Sequence, residues 1–259
     1  MKEKLYRAAI ELTNNKQTSL LLKWIMTRKL SKRCIPAYRK FYNIETHDVQ
    51  DPMTSYATLQ QFFTRTLKKD ARTVDVSPTT VASPVDATIA SFGDILDDTT
   101  FLVKGKKYKL TDLLGKRAIA EKYRNGQYIV FYLSPANYHR IHSPLNGHVL
   151  RQYVLGNRSY PVNDFGLTYG EKPLSHNYRL VTGLDTACGH VAVIKVGAMF
   201  VNSIKLTNVT TDWQKGEEVG YFEFGSTVIM LFEPSRTQFL NNVQKNAVIR
   251  VGEAFADML

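Results

Sequence analysis

Cysteine is scarce: Cys34 and Cys188 are the only two in 259 residues. They form no CxxC pair and stand in no Cys/His cluster at ligand spacing, so neither a disulfide framework nor a metal site is indicated, and a reducing compartment is expected. Long apolar runs are missing as well, and none approaches the roughly 20 residues needed to cross a bilayer. The opening MKEKLYRAAIEL lacks the apolar centre and small-residue cleavage site of a secretory signal. Membrane contact, if any, is therefore expected to be peripheral. There is no GxSxG run, the common setting of a hydrolase serine. Internal repeats and low-complexity segments are also absent.

What is present is an ordinary globular composition, 44% hydrophobic and 22% charged, enough to bury one sizeable core. The charge is unbalanced, with 34 Lys and Arg against 23 Asp and Glu for a net +11. Residues 1–40 hold eleven of the basic groups and two of the acidic ones. Such a field attracts nucleic acid or the phosphates of a membrane leaflet, unless it is simply a solvated face. Leu5, Ala9, Ile10 and Thr13 follow helical spacing, as do Leu21, Trp24, Ile25 and Arg28 after a Ser19 N-cap. Two amphipathic basic helices of this kind suit a lipid interface, with Trp and Leu inward and Lys and Arg toward the headgroups. Packing on the protein's own core is the competing expectation.

A third helix is expected from Thr58 to Lys69, where Leu59, Phe62, Phe63 and Leu67 share a face. Beyond Thr80 the pattern changes to short runs of Val, Ile, Tyr and Phe separated by Gly, Pro, Asn and Asp. The runs Thr88–Phe92, Tyr128–Tyr132, His190–Ile194 and Thr227–Phe232 read as strands. A helix is expected over Leu110 to Tyr123 and a long surface or active-site loop over Val154 to Asn177. The fold class that follows is α+β: a β-rich single catalytic domain, residues 46–259, behind amphipathic N-terminal helices in residues 1–45.

Three local features carry reactive groups: Ser83-Pro84-Val85-Asp86, Tyr138-His139-Arg140-Ile141-His142-Ser143-Pro144, and Gly225-Ser226-Thr227. Each alone has a bland explanation. An Asp after Pro is usually a turn residue, and a Gly-Ser before a strand is usually a turn. His139 and His142 would share a helix face, but Pro135 and Pro144 flank them and no third metal ligand lies at suitable spacing. Together, an Asp, a His and a Ser supply an orienting carboxylate, a base and a nucleophile for attack on a carbonyl. The set does not choose the reaction. The nearest electrophile to Ser226 is the Gly225 carbonyl.

In this order, with Ser226 close to the C-terminus, the three features resemble the phosphatidylserine decarboxylase family. Leu59-Gln60-Gln61-Phe62-Phe63-Thr64-Arg65 is similar to the family's LxxFFxR segment, and Val196 to Ile204 to its VGAxxVxSI segment. Phe222 to Ile229 resembles the FxxGST run around the family's processing site. The likeness spans about residues 55–235, and the N-terminal forty match only in general character. Ala87 stands where the family often has Gly, and Asn137 where some members carry Asp.

The resemblance implies a proenzyme that cuts itself between Gly225 and Ser226 into a large chain, 1–225, and a small chain, 226–259, which stay associated. Ser226 would become a pyruvoyl group, the cofactor, which decarboxylates phosphatidylserine to phosphatidylethanolamine and CO2 through a Schiff base. In this reading His142, hydrogen-bonded to Asp86, takes the Ser226 proton, and His139 is the candidate proton donor in decarboxylation. Phosphatidylserine and an anionic membrane surface are the expected partners, at the cytoplasmic face of the cell membrane. A homodimer is left open and no nucleic acid is expected. Two alternatives remain: a pyruvoyl decarboxylase of a soluble amino acid, and a non-catalytic basic β-domain that binds lipid or nucleic acid.

Overall fold

The computed structural model describes residues 21, 23–198, 204–223 and 226–259. The helix expected over residues 5–13 and the Ser19 cap lie outside the described residues, as do Gly225 and residues 199–203. The α+β expectation is met, with many strands and a few short helices.

An eight-stranded antiparallel sheet organises the chain. Its order is Asp212–Trp213, Gly147–Leu155, Arg179–Thr186, Gly189–Gly197, Ser226–Phe232, Gln127–Leu133, Ala87–Asp94 and Val248–Ile249. The Ser226–Phe232 strand lies inside it, paired along its whole length with Gln127–Leu133 on one side and Gly189–Gly197 on the other. Every residue of that strand is buried, and alternation explains why. Val228, Met230 and Phe232 enter one core layer with Phe131 and Val193. Ile229 and Leu231 enter the opposite layer with Val130, Ile194 and Val196. A strand covered on both faces reads in sequence as a continuous apolar run, and this one does.

The first layer is closed by a second antiparallel sheet of three strands, Ile204–Leu206, Glu218–Phe222 and Arg140–His142. Ile141, Ile204, Val219 and Phe222 from this sheet share the core cluster of Val228 and Met230. The other face of the large sheet is covered by the Thr100–Val103 and Lys106–Lys109 hairpin and by short helices.

Two helices are shorter than their apolar pattern suggests. The expected Thr58 to Lys69 helix is only Leu59–Phe63, capped by the Thr58 side chain, which accepts from the Gln61 amide. Leu67 still packs against the cluster of Leu59 and Phe62 without being helical. The expected Leu110 to Tyr123 helix breaks into Leu110–Leu114, Arg117–Ala120 and a 3-10 turn Glu121–Tyr123. Gly115, at φ +71°, terminates the first piece in the left-handed conformation that glycine tolerates. The expected loop from Val154 to Asn177 contains two short helices, Asp164–Tyr169 and Pro173–His176.

Ile35, Ile44, Val49, Tyr56, Leu59 and Phe62 form a separate small core, with Met26, Tyr38 and Leu67 against it. Residues 23–26 are helical, and while Met26 packs inward, Trp24 and Ile25 are exposed. Among the described residues no helix is long and apolar enough to cross a membrane.

Candidate active site

Strand register sets the direction of Ser226. It pairs with Leu133 and Gly197, and Leu133 belongs to the same core layer as Val228, two residues farther along. By period-two alternation Ser226 faces the layer closed by the three-stranded sheet. That sheet carries the Arg140–His142 strand, and the Phe222 amide donates to the His139 carbonyl at 3.0 Å. The His142 amide in turn donates to the Pro84 carbonyl at 2.8 Å, which ties in the segment bearing Asp86. The fold thus gathers the three sequence features around one core layer.

Ser226 is fully buried, and its Oγ has no hydrogen-bond partner among the described residues. The Nε2 of fully buried His139 is likewise unpartnered. Buried polar atoms are nearly always satisfied, so the Ser226 hydroxyl and the His139 Nε2, two of eight such unpartnered atoms among the described residues, are candidates for a role other than stability. The His139 Nδ1 lies 2.8 Å from the Asn137 carbonyl, an acceptor, so Nδ1 carries the proton and Nε2 is a bare lone pair. Phe63 packs against the ring at 3.9 Å between centroids, the planes tilted by 39°. Burial, reinforced by the nearby Arg65 charge, pushes the His139 pKa down to about 3.

His142 has the same tautomer. Its Nδ1 donates to the Gly216 carbonyl at 2.8 Å, leaving Nε2 to accept from the Tyr138 hydroxyl at 3.3 Å. Burial lowers its pKa, while the Gly216 bond and the charges of Glu218 and Asp86 oppose that shift.

The expected hydrogen bond between Asp86 and His142 is not among those of the described residues. Arg72 takes the carboxylate instead: its Nε lies 2.9 and 3.0 Å from the two oxygens and its Nη2 2.5 Å from Oδ2. The Val251 amide also donates to Oδ1 at 2.9 Å. A guanidinium fork matches a carboxylate better than an imidazole can, and it out-competes the ring. Asp86 therefore acts on His142 through space. Arg72 is shared with Asp48, 2.9 Å away. Beside them opens a cavity of about 210 Å³ bordered by Asp86, Arg65, Arg72, Asn137 and Tyr138.

Two charged residues near the site were not singled out from sequence. Lys195 is fully buried opposite Val228, its Nζ 2.5 Å from the Thr182 hydroxyl and 5.4 Å from the centre of the Trp213 ring. Burial alone lowers its pKa to about 7. Glu223, also buried, is held by Lys23 and Gln60. Lysine inside a strand run and glutamate just before a strand are visible in the sequence, but nothing local tells that either is enclosed.

Comparison with known proteins agrees with the motifs. A family model described as phosphatidylserine decarboxylase matches residues 59–257. The phosphatidylserine decarboxylase proenzymes of Bacillus thuringiensis (strain Al Hakam) and Bacillus cereus (strain 03BB102) are each 45% identical to the chain. Each match covers 100% of this chain and 99% of the relative. The corresponding proenzyme of Bacillus anthracis (strain CDC 684 / NRRL 3495) matches to the same extent.

Proposed function

The chain belongs to the phosphatidylserine decarboxylase family, and from that premise we propose that it is made as one polypeptide that cuts itself between Gly225 and Ser226. It is a carboxy-lyase of the proenzyme type, with a pyruvoyl group derived from a serine. Ser226 is our candidate for that serine, and its buried hydroxyl, unpartnered among the described residues, is the observation that carries the assignment.

In the cleavage step His142 takes the Oγ proton at Nε2, the nitrogen that its Gly216 bond leaves unprotonated. The Asp86 and Glu218 charges favour the imidazolium that results. The Ser226 oxygen attacks the Gly225 carbonyl and the C–N bond breaks, giving an ester and a free amine on residue 226. Loss of the Cα proton expels the Gly225 carboxylate and leaves dehydroalanine. Water then replaces its nitrogen, releasing ammonia and leaving a ketone at the head of chain 226–259. The full pairing of the Ser226–Phe232 strand supports continued association of the two pieces, since cutting one bond at its end removes neither ladder.

The ketone supplies an electron sink for the pair released with CO2 from an amine-linked substrate. The chain's own residues do the rest. His139 presents an unprotonated Nε2 in a buried site, and in this reading it takes the proton that the substrate ammonium loses on condensing with the ketone and returns it to the carbon that loses CO2.

Phosphatidylserine as substrate puts the reaction at a lipid surface. Exposed Trp24, Ile25, Leu30 and Phe41, the last 79% exposed, lie among Arg28, Lys29, Lys32, Arg33, Arg39 and Lys40. That mixture supports peripheral docking on an anionic leaflet through the segment before residue 45. Release of CO2 from phosphatidylserine tests the whole reading. Wild-type protein should release it and Ser226→Ala should not. His142→Ala should stay uncleaved, whereas His139→Ala should cleave and decarboxylate poorly. A Ser226→Ala protein that is cut and active would overturn the assignment.

A further inference from the structure

Glu223 is buried two residues ahead of Gly225, a place where an unpaired carboxylate is costly. Both its oxygens are engaged. Oε2 accepts from the Lys23 ammonium at 2.7 Å, and Oε1 from the Gln60 side-chain amide at 3.1 Å. Lys23 is 200 positions away in the chain and belongs to the helical stretch that exposes Trp24 and Ile25. Gln60 belongs to the Leu59–Phe63 helix, whose Phe63 packs against the His139 ring.

The bond between residues 225 and 226 is thus approached by two anchored segments. Downstream, the strand Ser226–Phe232 is fixed by a ladder on each side. Upstream, the anchors are the Phe222 amide on the His139 carbonyl and the ion pair of Glu223. Attack of a hydroxyl on a neighbouring carbonyl depends steeply on alignment, and an error of about 1 Å can cost a hundredfold in rate. A strand end held from one side only would leave the upstream partner free to wander.

We infer that Lys23 is a positioning residue for self-cleavage: by holding Glu223 it fixes the chain that leads into the Gly225–Ser226 bond. This rests on the reading that the chain cuts itself there. It follows that the helix offered to lipid also carries part of the cleavage machinery, so docking and maturation share an element.

The test is the rate of self-cleavage of freshly synthesised full-length chain, followed by denaturing mass spectrometry beside a thermal melt. Lys23→Met should slow cleavage about tenfold to a hundredfold, and Lys23→Arg should restore most of the rate by keeping the charge. Lys23→Met combined with Glu223→Gln removes the buried unpaired carboxylate. That double variant should regain thermal stability and still cleave slowly. Wild-type cleavage rates in Lys23→Met, or a double variant that regains rate together with stability, would overturn the role. A wild-type chain that is never cut would overturn the cleavage reading itself, and this role with it.

Discussion

Arg72 holds Asp86 by a fork, with Nε 2.9 and 3.0 Å from the two carboxylate oxygens. Both side chains are largely buried, so each is the other's main compensation for lost water. Removing one partner of such a pair strands the other. Arg72→Met should cost about 3–5 kcal/mol in urea unfolding and slow self-cleavage by displacing Asp86. Unchanged stability would show that the Val251 amide suffices to hold Asp86 without the fork.

The histidines give an acid-side signature. His139, with its pKa near 3 when folded, has an ordinary value near 6.5 when unfolded. Below about pH 6.5 the unfolded chain binds a proton that the folded chain refuses. The stabilising contribution is therefore complete above pH 6.5 and drains away as pH falls toward 3. Urea midpoints between pH 7.5 and 5 should decline, with His139 contributing up to about 1.4 kcal/mol per pH unit. His139→Gln should flatten the decline. An identical slope in the variant would contradict the burial of an uncharged ring.

Lys195 acts at the other end of the scale. Its folded pKa of about 7 lies below the ordinary lysine value of 10.5, so between those values the unfolded chain holds the extra proton. Stability should rise with pH across that window, be fully present above it, and be lost as pH falls through 7. Lys195→Met, which keeps the length and removes the charge, should stabilise the protein at neutral pH and abolish the rise. Destabilisation at every pH would mean that the bond to Thr182 outweighs the cost of burial.

How far the sequence reaches can be judged from these residues. The strands were legible because a run such as Thr227–Phe232 can satisfy two apolar layers only by alternating between them. The Leu110 to Tyr123 segment was over-read, since periodicity continues across Gly115 while the backbone turns left-handed there. Asp86, His139, His142 and Ser226 were visible as motifs, and the fold brings their segments to one core layer. The partners were not visible. Arg72 reaches Asp86, and Lys23 reaches Glu223, only through tertiary packing that no local spacing encodes. The proton positions on His139 and His142 likewise depend on carbonyls that the fold brings to Nδ1.

Lipid docking has a built-in reporter. The sequence has two tryptophans: Trp213 is fully buried, whereas Trp24 is 54% exposed and lies under the Arg28 guanidinium. Emission changes on adding vesicles therefore report Trp24. Phosphatidylserine-containing vesicles should shift the emission to the blue, neutral vesicles should do so less, and added salt should weaken the effect. Trp24→Phe should be silent. No shift with anionic vesicles would remove the docking role of the N-terminal segment.

The most direct test is the mass of the purified full-length protein under denaturing conditions. Self-cleavage at Gly225–Ser226 predicts two species, 1–225 and 226–259. The smaller should be refractory to N-terminal sequencing and about 17 Da lighter than a peptide beginning with serine, the difference between an amine-bearing carbon with its hydroxyl and a ketone. A single intact chain in material that decarboxylates phosphatidylserine, or a small fragment with an ordinary serine amine, would contradict the account.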